Sequence, residues 1–578
     1  MASGLLLLVG VVYASRSAPF HPASEDRPGR VAACFAAAAL FAWLPGAVRL
    51  RRAARQALYG TPARGFRLVL FFLGLCVYGW MGHTVFGGVP RLDDGVAAVF
   101  QARIFARGDL TLPLPAHPEF YEIFGVLGRR AGLGHWCGMY PPCWPALLVP
   151  GVLLGATWLV NAVAGAALLV TVCALGREFF GEAAGRTAAV LGLLSPFVAV
   201  CAGLHLSHLP TALFCGLCLL WMKRLFRTRK WGYGWLTGLA WGAAFLCRPL
   251  TALTVGAVFA AGFLFPLRGV WTNRRALVAA ALVAASAVGT LLAYQRATTG
   301  GALTPGHRIG MGRRGKFGFV RLDHVRTHTP ALGAEHTLRR VAALNDRLLE
   351  WPFPDLAVVL LPFLLGRARR DEWILFAPLP VLLAAFACYW YYESFFPGRY
   401  LCAAVPFLLV LAGRGLDCVR EAVRERSAFV RGLPLCAVTG SVLFALTTGV
   451  PAHFERYDSH FGDVESVLGR VVRDYGITNA VVFMDAVGIE EHEDDRDNDY
   501  YATGFLRNDL DLEGDVIYVR NRREQDVRIM KAYPDRAYYL YRYVRDRDRA
   551  RLYRLIPAGD SFDAVPVAPR TSDLVLPP

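Results

Sequence analysis

Apolar stretches recur along the chain to about residue 451 and then stop. A bilayer core takes about 20 apolar residues per helix, and fewer where helices are short or broken. The stretches at 4–14, 31–48, 67–86, 156–175, 187–204, 209–222, 235–247, 250–267, 276–294, 355–366, 373–392, 400–413 and 433–451 predict about 11–13 membrane helices. The short 355–366 stretch reads as half of a broken helix. The 4–14 stretch reads either as a helix or as a leader ending near Ala14, although it lacks a basic start.

Lys and Arg follow every second stretch. Arg49, Arg51, Arg52 and Arg55 come after the second stretch, and Lys223 to Lys230 after the sixth. Arg268, Arg274 and Arg275 come after the eighth, Arg367 to Arg370 after the tenth, and Arg414 to Arg431 after the twelfth. Such loops stay in the cytoplasm. The loops 87–155, 205–208, 295–354 and 393–399, and everything after 452, then face outward. The organisation expected is two N-terminal helices with a basic loop over 1–66, a membrane domain over 67–451 with its first outer loop at 87–155, and a soluble domain over 452–578. Short β-like runs at Ala480–Phe483 and Val516–Val519, and the Tyr-rich run Tyr538–Tyr543, make the last part a small α/β domain. The fold class is therefore mainly α: a polytopic transmembrane helix bundle with a small extracytoplasmic α/β domain at its C-terminus.

Composition agrees with this reading and changes one point. The chain has 578 residues, 55% of them apolar and 19% charged, with a mean hydropathy of +0.37. This excludes a disordered chain, a coiled coil and a small disulfide scaffold. The net charge of +17 resembles a nucleic-acid footprint. However, residues 452–578 hold 25 acidic and 18 basic residues, a net −7, so the first 451 carry +24. Much of that positive charge lies on alternate loops and sets orientation, so no nucleic-acid partner is expected. The acidic stretch Glu490–Asp499 reads as a solvated loop, because it lacks the ligand spacing and glycine of a calcium loop. Most of the 13 cysteines lie inside apolar stretches. Cys137 and Cys143 share the first outer loop, either bridged or as free thiols packed against the bilayer. There is no Walker A motif, no HExxH and no metal-ligand Cys/His spacing, so no cofactor is expected and a divalent metal is not favoured.

The candidate chemistry gathers on the outer side. Asp93 and Asp94 stand where the third stretch leaves the membrane, ahead of a helix at about 95–107. One reading makes them helix caps; the other makes one a base for a hydroxyl near a lipid-borne substrate. Val96, Phe100, Arg103 and Arg107 share a stripe of that helix, which suits an interfacial helix with snorkelling arginines. Arg248-Pro249 sits between two apolar stretches, where a charge is costly and marks function. His205 and His208 share an outward turn, Arg399 lies near a helix end, and Glu119 and Glu122 form a second carboxylate pair. Arg308, Arg313, Arg314 and Lys316 make the Gly-rich 300–318 stretch basic, as in a substrate lid or a head-group contact.

Asp93-Asp94, the helix ending Ala106-Arg-Gly, His117-Pro-Glu-Phe-Tyr-Glu122 and Tyr140-Pro-Pro-Cys-Trp-Pro145 together resemble the first outer loop of GT-C membrane glycosyltransferases. The likeness is to the dolichyl-phosphate-mannose mannosyltransferase-like and aminoarabinose-transferase-like branch. It implies two interfacial helices in the first loop and an inverting transfer from a polyprenyl-phosphate sugar to an envelope acceptor (lipid, glycan or protein) at the inner membrane. It further implies Asp93 or Asp94 as base and Arg399 on the donor phosphate, and the costly charge of Arg248 makes it a second candidate for that phosphate. Glu119, Glu122, Arg103, Tyr140, His205 and His208 are the candidate substrate-binding residues, with membrane lipids as further partners. A transporter of lipid-linked sugars should show inverted repeats and mid-bilayer charges, and neither is present. A non-catalytic envelope scaffold would leave Asp93, Asp94 and Arg248 without a task.

Overall fold

The computed structural model describes residues 27–265, 268–323, 326–393, 395–457, 468–487, 500–544, 549–558 and 561–567. The 4–14 stretch and the acidic stretch 490–499 lie outside the described residues. Among those described, six helices are long and apolar enough to cross a membrane: Ala63–Val85, Thr157–Phe180, His208–Thr228, Arg274–Thr299, Arg399–Ala422 and Ala428–Ala452. The protein is therefore a multi-pass membrane protein.

Other apolar stretches are interrupted, and the sequence explains each break. The 187–204 stretch divides into Glu182–Leu193 and Pro196–Gly203, bent by 58°. Pro196 starts the second piece, and the Ser195 hydroxyl caps it by accepting from the Val198 N–H at 3.3 Å. Gly232–Cys247 and Pro249–Leu264 are separated by Arg248, whose backbone leaves the helix (φ −147°, ψ 88°). The expected 373–392 helix ends early: Arg370–Phe376 and Pro378–Ala387 are followed by non-helical chain from Tyr389. The Arg399–Ala422 helix lies at the centre of the bundle, its apolar stretch 83% buried against 22% for Arg274–Thr299 at the rim. Near the N-terminus, Arg27–Trp43 packs on Ala428–Phe444, with Trp43 stacked on Phe429 at 5.1 Å.

The basic loops converge at one end. Lys223 pairs with Asp371, Arg224 and Arg227 with Glu178, Arg367 with Glu421, and Arg186 with Glu182. This matches loops that share one side of a membrane. At the other end the first loop folds as two helices, Asp93–Ala106 and Cys143–Leu153, with three short strands ordered 112–113, 135–138, 126–127.

The C-terminal part builds a five-stranded sheet from Ala480–Val487 (β1), Val516–Arg520 (β2), Ala537–Val544 (β3), Arg549–Ala558 (β4) and Ser561–Pro566 (β5), in the order β2-β1-β3-β4-β5. The β2, β1 and β3 strands are parallel, with Val481 paired to Ile517 and Tyr538. The last two strands are antiparallel. This domain does not close its core alone. Val96, Phe100, Ile104, Leu112, Phe120, Tyr121 and Trp136 of the first loop are buried in one apolar cluster with Val482, Phe483, Phe505 and Tyr518.

That joint core corrects the interfacial reading of the Asp93–Ala106 helix. Its Val96, Phe100, Arg103 and Arg107 stripe meets protein. Phe100 lies 5.1 Å from Phe505, Arg103 donates to the Leu506 carbonyl at 2.9 Å, and Arg107 pairs with Asp511 at 2.9 Å. A helix without a clean apolar face is what a buried element between two partners requires.

Candidate active site

Asp94 begins the site. Leu92, not an aspartate, occupies the helix N-cap, so neither carboxylate serves as that cap. The two side chains diverge, as consecutive helical positions must. Asp94 lines a cavity of about 380 Å³, while Asp93 is buried elsewhere at 4% exposure. Tyr140 donates a hydrogen bond to Asp94 Oδ1. Gly125, at φ +81°, makes room for this approach, because a Cβ there would stand 2.8 Å from Ala97 Cβ and 3.3 Å from the Tyr140 ring.

Two cations share the cavity with Asp94 and Tyr140. Arg248, freed by the helix break, reaches Ser207 Oγ at 3.4 Å and lies 5.3 Å over the Tyr400 ring. Arg399 is 2% exposed, 6.0 Å over Tyr391 and 5.5 Å over Tyr400. Its Nε and one terminal nitrogen are buried without a hydrogen-bond partner. Buried donors are seldom left unpaired without a functional reason.

Sequence reasoning missed the remaining polar walls. Gly306, whose Cβ would lie 2.6 Å from the Met139 carbonyl oxygen, lets the 300–318 stretch close against the first loop. That contact brings His307 into the cavity, with Nε2 3.1 Å from the Tyr389 hydroxyl. Burial, aided by the Arg248 charge and opposed by Asp94, holds His307 below its ordinary pKa. Arg314, read as part of a basic lid, is instead engaged with Asp323 at 3.1 Å and lies 5.8 Å over Trp390. Tyr389 and Tyr391 face the cavity because the 373–392 stretch stops being helical, and Tyr400 faces it from the first turn of the Arg399–Ala422 helix. Pro-Gly at 305–306 and the aromatic run 389–392 were the available signals.

The other expected site residues lie outside the cavity. Arg103 contacts the C-terminal domain. Glu119 pairs with Arg129 at 3.0 Å, and Glu122 with Arg130 at 2.5 Å and Arg522 at 3.5 Å. Their backbone carbonyls accept from Arg522 and Arg520, both at 2.9 Å. This pair thus joins the loop to the C-terminal domain. His205 is buried, with Nε2 3.1 Å from Thr157 Oγ1; burial and then Arg91 push its pKa down to about 4. His208 stacks on Tyr400 at 5.5 Å, behind the cavity wall. Cys137 and Cys143 are free thiols with separate partners. Cys137 Sγ contacts the Thr298 carbonyl at 3.7 Å, and Cys143 hydrogen-bonds to Cys247. Among the described residues, no group of three or more His, Cys, Asp or Glu gathers as a metal site.

Part of this helical bundle matches the model of a membrane glycosyltransferase family. The match spans residues 146–294, and the family is dolichyl-phosphate-mannose-protein mannosyltransferase. Residues 497–555 match a domain of unknown function, DUF7846. ArnT from Cupriavidus metallidurans, solved in the apo state and bound to undecaprenyl phosphate, is similar at 14% identity; the likeness covers 83% of this chain and 93% of that one, with a TM-score of 0.44. The oligosaccharyltransferase AglB from Archaeoglobus fulgidus, in complex with an inhibitory peptide and a dolichol-phosphate, is similar at 12% identity over 82% of this chain and 69% of that one, TM-score 0.40. No curated protein is a significant match to this chain.

Proposed function

We propose that the protein transfers a sugar from a polyprenyl-phosphate donor to a hydroxyl of an envelope acceptor, on the extracytoplasmic face of the inner membrane. The observation that carries this reading is one cavity holding a carboxylate, Asp94, opposite a buried arginine, Arg399, with hydrogen-bond donors to spare. The acceptor hydroxyl attacks the anomeric carbon, the bond from that carbon to the phosphate oxygen breaks, and the hydroxyl proton passes to Asp94. A single displacement inverts the anomeric configuration. Arg399 and Arg248 neutralise the leaving phosphate, the contribution of a preorganised cradle. A positioned base contributes about 10²–10⁴ in rate. Asp94 is the base rather than Asp93, because Asp94 lines the cavity. No step requires a metal, and transfer should survive dialysis against a chelator.

Reconstitution with a radiolabelled polyprenyl-phosphate sugar tests the reading. Asp94→Asn should abolish transfer, whereas Asp93→Asn should retain a measurable rate. Undiminished transfer by Asp94→Asn would remove the assignment. Passage of intact lipid-linked sugar across the bilayer without transfer would make the protein a transporter.

A further inference from the structure

Arg340 and Glu393 form an ion pair with both side chains at 0% exposure, Nε to Oε2 2.9 Å. Neither residue lines the cavity. Arg340 also donates to the Phe386 carbonyl at 3.0 Å and to the Tyr391 carbonyl at 2.6 Å. The second Glu393 oxygen accepts from the Tyr400 backbone N–H at 3.3 Å. The pair therefore grips the backbone at Phe386, Tyr391 and Tyr400, one element after another. Two of these are the residues whose rings lie under the cavity's cations: Tyr391 and Tyr400 under Arg399, and Tyr400 under Arg248.

A buried ion pair contributes little net stability, because desolvation offsets the attraction, and apolar residues of similar volume often do as well. What it supplies is direction, since a planar guanidinium fork fixes several acceptors at once. Arg399 is held by rings rather than by hydrogen bonds of its own, so its position depends on where those rings stand.

We infer that Arg340 and Glu393 are positioning residues for the anion-binding wall, acting through Tyr391 and Tyr400 to aim Arg399 and Arg248 at the donor phosphate. The inference rests on the functional reading above. It assigns the fully buried pair to donor affinity rather than to holding the bundle together.

The test compares the full-length double variant Arg340→Met/Glu393→Leu with wild type in detergent, using undecaprenyl phosphate as the binding probe. The double variant should melt within a few degrees of wild type. It should bind the probe at least about tenfold more weakly, the scale of one charge-assisted hydrogen bond. The donor KM should rise in step, with the acceptor KM unchanged. A double variant that folds and binds like wild type overturns the inference, and so does one that fails to fold, because the pair is then structural. Wild type that does not bind the probe at all counts instead against the functional reading.

Discussion

Replacing Arg399 should separate stability from activity. In the free protein its guanidinium is 2% exposed, with Nε and a terminal nitrogen unpaired. The two tyrosine rings return only about 0.5–2 kcal/mol each as cation–π contacts. A bound phosphate oxygen pair satisfies both donors, and each charge-assisted bond is worth about 1.5–3 kcal/mol. Losing both costs about 3–6 kcal/mol of phosphate stabilisation, or about 10²–10⁴ in kcat/KM. Arg399→Met keeps the length and removes donors that have no hydrogen-bond partner, so its melting temperature should stay within a few degrees of wild type. Arg399→Lys keeps the charge but loses the fork and should fall between the two. The assays are donor-dependent transfer at subsaturating donor and thermal unfolding of the same samples. Transfer by Arg399→Met within about threefold of wild type, well under the roughly 1.5 kcal/mol of even one such bond, would refute the phosphate role. A loss of transfer matched by a loss of folding would show that Arg399 holds the fold rather than the phosphate.

Other outcomes follow from the same geometry. Tyr140→Phe removes the hydrogen bond to Asp94 and should lower kcat by about 10–100-fold, as expected for a bond to a charged group, with folding unchanged in thermal melts. Phe505→Ala opens the aromatic cluster with Phe100 at 5.1 Å and Trp136 at 6.2 Å. It should loosen the C-terminal domain by about 3–5 kcal/mol, read as faster limited proteolysis of that domain. Burial, against a 2.7 Å bond from the Arg522 N–H, pushes the Asp526 carboxyl up to about 7. From about pH 4 to 7 the folded carboxyl keeps a proton that the unfolded one has lost, so stability should fall as pH rises through that window, by up to about 4 kcal/mol, and level off above it. Asp526→Asn should flatten that slope in unfolding measured across the range.

The helical bundle and the cations of the cavity were legible because a membrane makes charge expensive. Arg248 and Arg399 interrupt or border apolar stretches, and no bland position there holds an arginine cheaply. Asp94 was legible together with Asp93, but not apart from it, because which of two adjacent helical side chains faces a cavity is a matter of rotation. The partners of Glu119 and Glu122 were not legible, because a loop carboxylate does not reveal them: Arg522 lies about four hundred positions away. His307 is a lone histidine in a stretch dominated by Arg308, Arg313, Arg314 and Lys316, so no spacing marks it. Tyr391 was hidden because an aromatic run after an apolar one continues the hydropathy of a helix past the point where the helix stops, and Tyr400 because it opens the next apolar stretch. Three of the five strands of the C-terminal sheet were readable from their β-branched and aromatic runs, but Arg549–Ala558, Ser561–Pro566 and the docking of that sheet on the first loop were not.

That docking bears on how the molecule is made. Arg103 and the Leu506 carbonyl it meets are 403 residues apart in sequence. The helix that carries Asp94 leaves the ribosome early, yet the side of it formed by Phe100 and Arg103 gains its partners only when the final segment has been made and folded. Contacts of such separation form late. Until then Phe100 and Trp136 lack their contact with Phe505, and Asp94 stands on a helix without that support. On the proposed function, chains cut short of the final segment should therefore be inactive.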